Sequence, residues 1–127
     1  MRNDEVDNEA QKKNSWTQTE ESLKEISRSG TNFGDSLKPL FGIIDVLRSR
    51  GFDSLFYAGQ SHGRLCIKAH ENPELEPSEI IVTSLGNDRV HCQLFVCKNR
   101  EVILEKSIIC SPPATPDAIE EYAKLLT

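Results

Sequence analysis

Gly59-Gln60-Ser61-His62-Gly63 is the first stretch of this chain to test for chemistry, because G-x-S-x-G is the pattern of a serine-hydrolase nucleophile elbow. An elbow lifts its serine on a strained turn between a strand and a helix. After the motif, Leu65, Ile67 and Ala69 alternate with Arg64, Cys66 and Lys68, which is a strand pattern. The motif therefore reads as a glycine-rich hairpin loop, and Ser61 is not assigned as a nucleophile.

The other candidates fail on spacing. Cys66, Cys92, Cys97 and Cys110 match no zinc ribbon or finger. Cys92 and Cys97 lie five apart within one strand pattern, so they face opposite ways and cannot share an ion. They read as small apolar filler with one or two half-exposed thiols. His62, His70 and His91 fall in a loop, at a strand end and in a strand, and none is placed beside a cysteine that it could activate. Glu71, Glu74, Glu76 and Glu79 form an acidic loop, but it lacks the glycine turn of a calcium loop and two prolines stiffen it. It reads as solvated, with contact to a basic partner as the other reading. Pro113-Ala114-Thr115-Pro116 matches PxxP, yet its simplest role is to end a strand and start a helix. No catalytic residue, metal ligand or cofactor site is expected.

The elements around these residues are clearer. Met1 to Ser15 is charged and amide-rich without periodicity, the composition of a disordered tail. Trp16 to Ser29 can form a helix ended by Gly30. Its apolar set, Trp16, Leu23 and Ile26, is thin, so it needs a docking surface. Ser36 to Arg50 is the strongest helix, with Leu37, Leu40, Phe41, Ile44 and Leu47 on one face, Asp35 or Ser36 as cap and Gly51 suited to the left-handed position that follows. Ser54–Ala58 and Arg64–Ala69 predict a hairpin. Glu79 to Cys110 predicts a three-stranded meander with turns at Gly86-Asn87-Asp88 and Lys98-Asn99-Arg100. Thr115 and Pro116 open a last helix with Ile119, Tyr122, Ala123 and Leu126 as its stripe. The expected fold is α+β. It has a mostly antiparallel five-stranded sheet (hairpin plus meander), with a preceding helix and a C-terminal helix packed on one face. One domain is expected over 16–127 after a tail over 1–15. Phe41, Ile44, Leu47, Leu65, Ile67, Leu94, Leu104, Ile119 and Tyr122 are the expected core.

Net charge is -5, split as -2 over the first thirty residues and -3 over the rest. No basic block stands out, so the phosphate-neutralising surface that nucleic-acid and anionic-membrane binding require is missing. There is no apolar leader at the N-terminus and no run of transmembrane length. A cytosolic setting with reduced thiols is the expectation.

Register in the last hairpin points to one surface. A three-residue loop at Lys98-Asn99-Arg100 sets Val96 against Val102, Leu94 against Leu104 and Val90 against Ile108, giving an apolar core face. It sends His91, Gln93, Phe95 and Cys97 outward, where Phe95 pairs with Ile103 and Ile81 lies nearby on the third strand of the meander. A solvated sheet face is normally more polar than this. The Trp16 helix, a second copy of the chain or a different protein are the candidate covers. The expected function is therefore a small protein-binding module (an adaptor, chaperone-like protein or inhibitor) whose partner is another protein or a second copy. Phe95, Ile103, Ile81 and His91 are its candidate binding residues. The alternative is a small-ligand domain or an enzyme with a cleft between helices and sheet.

Overall fold

A computed structural model of the chain describes residues 4–70 and 78–126. Among these residues five α-helices and five strands follow one another as α1 (Asp4–Ser27), α2 (Asn32–Ser36), α3 (Lys38–Ser49), α4 (Phe52–Leu55), β1 (Tyr57–Ser61), β2 (Arg64–Lys68), β3 (Glu79–Gly86), β4 (Arg89–Lys98), β5 (Glu101–Cys110) and α5 (Thr115–Ala123), with a 3-10 turn at Pro112–Ala114 before α5. The strands lie in chain order in one sheet, and every neighbouring pair is antiparallel. This is the α+β architecture the sequence predicts.

Helix α1 differs from expectation. It starts at Asp4 and not near Trp16, so the stretch read as a tail is helical from that residue onward. Local pairing supports the early turns: Lys13 lies 3.3 Å from Glu9 one turn away. Tertiary contacts do the rest. Glu9 accepts a hydrogen bond from the Ser54 hydroxyl, and Ser15 Oγ accepts the Ala58 N–H at 2.9 Å. Trp16, Thr19 and Leu23 form the buried stripe of the helix.

The helix expected over Ser36–Arg50 is α3, which starts two residues later because Ser36 ends the separate turn α2. Thr31 Oγ1 caps the single turn of α2 by accepting the Gly34 N–H, and α3 then begins at Lys38 with Pro39 in its first turn. Neither Asp35 nor Ser36 caps α3. Gly51 takes φ 86° after it, as the helix stop requires. The strand expected over Ser54–Ala58 is instead a helical turn, α4, followed by β1 shifted toward the turn. Thr115 does not cap α5 either, since its hydroxyl donates backward to the Ser111 carbonyl at 2.8 Å.

The core lies between one sheet face and helices α1, α3 and α5. Ile80 and Val82 from β3, Val90, Cys92 and Leu94 from β4, and Leu65 and Ile67 from β2 meet Leu40, Ile43, Ile44 and Leu47 from α3 and Ile119 from α5. Of the expected core, Ile44, Leu47, Leu65, Ile67, Leu94 and Ile119 are fully buried, while Phe41, Leu104 and Tyr122 sit half-buried at its margin.

All three hairpins turn on two residues with positive φ: His62-Gly63, Asn87-Asp88 and Asn99-Arg100. Such turns match the strand twist. The last one corrects the expected three-residue loop. Lys98 pairs with Glu101, and a bulge at Ile103 then shifts the ladder, so that Val96 faces Leu104, Phe95 faces Glu105 and Leu94 faces Lys106. The bulge is what makes a two-residue turn tolerable, because without it Leu94 would face Glu105. Beyond it the ladder differs from the expected one by two residues. A slip of two leaves each of those side chains on the face assigned to it.

Candidate functional site

Alternation along β3 and β4 is regular. Ile80, Val82, Val90, Cys92 and Leu94 are buried beneath the helices, while Ile81, Thr83, His91, Gln93 and Phe95 point to the opposite face and are only half-buried. The pairings order this outer face into rows. One row runs Tyr57, Lys68, Glu79, Phe95, Glu105, the next Gly59, Cys66, Ile81, Gln93, Ser107, and a third Thr83, His91, Ile109.

The four residues predicted as a binding face are all on it, in a different arrangement. Phe95 is not opposite Ile103. It sits between Glu79 and Glu105, and Ile103, left over by the bulge, is its diagonal neighbour. Ile81 lies diagonally on the other side, one strand back and two residues along. Diagonal pairs of this kind are about 7–8 Å apart, within reach of large side chains. Ile81, Phe95 and Ile103 therefore draw an apolar diagonal across three strands, with Ile103 60% exposed. His91 is off that line, beside Thr83 and Ile109.

The Trp16 helix borders this face only at its β1–β2 end, where Gln11, Asn14 and Gln18 line a groove with Tyr57, Gly59 and Lys68. Trp16 is fully buried in the core on the other side, where its indole N–H donates to the Phe56 carbonyl at 2.9 Å. Helix α1 runs along the β1 edge instead. Ser15 takes the Ala58 N–H there, and the Gln60 side chain donates to Ser22 Oγ at 3.0 Å.

Among the described residues nothing packs along the opposite edge. Every residue of β5 is exposed except Leu104 and Cys110, which are half-buried. Ile108 lies on the core face of the sheet, yet it stays 44% exposed because the helices stop short of this strand. Sequence reading assigned one face of β5 to the core and missed this. The available signal was Val102-Ile103-Leu104 and Ile108-Ile109, where apolar residues occupy both parities and not alternate ones.

Of the cysteines and histidines that suggested chemistry, only Cys92 and Cys110 come together. Gly59 to Ser61 are strand and His62-Gly63 is the hairpin turn, so no helix follows Ser61 as an elbow requires. Gly63 is held under α2, and a Cβ there would come within 2.6 Å of the Phe33 ring. Burial pushes the Cys66 thiol up. Burial and then the neighbouring Cys110 push Cys92 up to about 12, which removes the thiolate that reactivity needs. His62 and His70 are exposed and lie on other elements than His91. Among the described residues no three His, Cys, Asp or Glu side chains gather as a metal site. The acidic loop falls at 71–77 outside the described residues, and Glu79 belongs to β3, 3.8 Å from Lys68.

Two of the grooves on the described residues are bordered by exposed charged side chains, Glu21, Lys24, Glu25 and Arg28 in one and Arg50, Glu120 and Lys124 in the second; two more carry less charge. One of about 400 Å3 between α1 and β1 is lined by Gln11, Asn14, Gln18, Thr19, Tyr57 and Lys68, with no histidine or carboxylate among its lining residues. The other, about 450 Å3, lies where Pro112, Pro113 and Pro116 meet Pro39, Ile43 and Val46 of α3. The PxxP segment is thus packed as a connector. No helix among the described residues is long and apolar enough to cross a membrane. Comparison with protein-family models, curated proteins and solved structures finds no match for this chain.

Proposed function

We propose that this chain is a small protein-binding module that presents the outer sheet face. The observation that carries this reading is the Ile81–Phe95–Ile103 diagonal on the part of that face that α1 leaves open, in a sheet whose other face already holds the core. Large apolar residues set among polar ones on an open surface are the composition of an interaction site. None of the four grooves is lined by a histidine or cysteine, and the carboxylates in two of them, Glu21, Glu25 and Glu120, are exposed beside lysine and arginine, not set as the acid, base or nucleophile an enzyme needs. The absence of a basic cluster favours protein over nucleic acid as the partner, and a cytosolic setting goes with the four free cysteines.

The test is Phe95→Lys. Phe95 lies between Glu79 and Glu105, so a lysine there gains two carboxylate neighbours and the sheet tolerates it, while the apolar diagonal is broken. Immobilised full-length chain should retain a protein from native extract that Phe95→Lys loses and that Leu55→Lys, an exposed apolar change on α4, still retains. Equal retention by all three removes the outer face from function.

A further inference from the structure

We propose that β5 is where two copies of this chain join, antiparallel about a two-fold axis at Lys106, so that two five-stranded sheets become one of ten strands. The inference rests on the protein-binding reading and names a second copy as the partner.

The two edges of the sheet are treated differently. β1 has five residues, and α1 lies over it, with Ser15 occupying a backbone donor. β5 has ten residues and no such cover among the described residues, with Val102 56%, Ile103 60%, Ile108 44% and Ile109 49% exposed. A long, bare, apolar edge is a template for another strand. The bulge lies near the start of β5 and leaves Leu104 to Cys110 regular.

The sequence of the strand identifies the occupant. A two-fold interface must be self-complementary, each residue i meeting j while j meets i. When antiparallel strands join in one sheet about such an axis, paired residues share a face, so the axis falls on a residue. Reading outward from Lys106 as far as the bulge gives Glu105 with Ser107, Leu104 with Ile108 and Ile103 with Ile109. Polar residues meet polar ones and apolar meet apolar throughout. Centring on Glu105 sets that carboxylate against itself, Leu104 against Lys106 and Ile103 against Ser107. Centring on Ser107 sets Lys106 against Ile108 and Glu105 against Ile109. Only the Lys106 register matches, and an arbitrary partner strand would not require this near-palindrome.

The size sets the affinity class. The seven residues 103–109 at about 3.4 Å each share roughly 24 Å of edge, and a sheet about 10 Å deep then buries on the order of 240 Å2 per copy. That is the small, exchanging kind of interface. The axis also sets Lys106 against Lys106 of the second copy. Like charges directly opposite weaken the pair, so the dimer should strengthen with salt, and Lys106→Ser should tighten it about two- to five-fold.

Sedimentation of the full chain from about 1 µM to about 1 mM should show mass rising from 14.3 kDa toward twice that value. Ile108→Lys and Ile109→Lys change exposed side chains, so they should keep the native circular dichroism and remain monomeric. Lys106→Cys should form a 106-to-106 disulfide on mild oxidation, located by peptide mass, whereas Glu105→Cys should not link to itself. A chain that stays monomeric throughout, or a dimer that survives Ile108→Lys, overturns the β5 pairing. If that dimer is lost with Phe95→Lys instead, the outer face is the interface, and the protein-binding reading stands without the strand register. If the chain is monomeric and Phe95→Lys still abolishes capture of a partner, the partner is a different protein.

Discussion

Trp16 offers the sharpest check on how α1 is held. The helix has few large apolar anchors, and its single tryptophan is fully buried, with its N–H on the Phe56 carbonyl. Trp16→Ala removes the largest side chain of the core, a change worth about 3–5 kcal/mol. It also strands the carbonyl of a buried residue, which adds about 1–3 kcal/mol. The total, roughly 4–8 kcal/mol, is comparable to the whole stability of a domain this size. Trp16→Phe keeps most of the ring and loses the donor, so it should cost about 1–3 kcal/mol and stay measurable. Guanidinium unfolding followed by far-ultraviolet circular dichroism gives both values without relying on the indole that the substitution removes. Release of α1 alone is the other outcome consistent with the structure, seen as rapid amide exchange over residues 8–27 with the sheet still protected. If Trp16→Ala costs under 1 kcal/mol and α1 stays protected, the helix is not anchored through Trp16 and the packing described above is wrong.

Two further substitutions test local geometry. Gly63→Ala puts a Cβ within 2.6 Å of the Phe33 ring at a φ of 80°; a loss of about 1–3 kcal/mol is expected in thermal unfolding, and no loss would mean that α2 does not close on the hairpin tip. Cys92 keeps its proton to about 12 when folded and only to about 9 when unfolded. Its contribution to stability is therefore fully present below about pH 9 and declines as pH rises toward 12, by up to about 1.4 kcal/mol per pH unit. Cys92→Val should flatten that alkaline decline, and identical alkaline unfolding curves for the two proteins would show that the buried thiol is not its source.

Most of the architecture was legible because it follows local rules. The period of Leu37, Leu40, Ile44 and Leu47 marks a helix, Gly51 stops it, and alternation in Ile80–Val82 and Val90–Leu94 marks half-buried strands. What was not legible depends on distant partners. The early turns of α1 carry no apolar stripe, and Ser54 and Ala58, some forty residues away in the chain, supply their docking contacts. The last hairpin admits two registers that both place Leu94, Val96 and Leu104 on one face. Choosing between them required the bulge at Ile103, which no local propensity announces. Exposure of β5 was hidden for the same kind of reason, since Ile108 has the parity of a core residue and only the reach of the helices decides whether it is covered.

The slip of two residues in that hairpin changes which experiment can be read. In the expected register Phe95 faced Ile103, and replacing it with glutamate would have set one charge against an isoleucine. In the observed register Phe95 is flanked by Glu79 and Glu105. A glutamate there would line up three carboxylates across three strands, each adjacent pair destabilising by about 0.2–1 kcal/mol, so lost binding would be confounded with a weakened sheet. Lysine reverses the sign of both cross-strand terms while breaking the same apolar diagonal. A binding loss with Phe95→Lys at unchanged or raised stability is therefore attributable to the surface. A fall in stability with Phe95→Lys would instead mean that the carboxylates are not its neighbours and that the ladder beyond the bulge is misplaced.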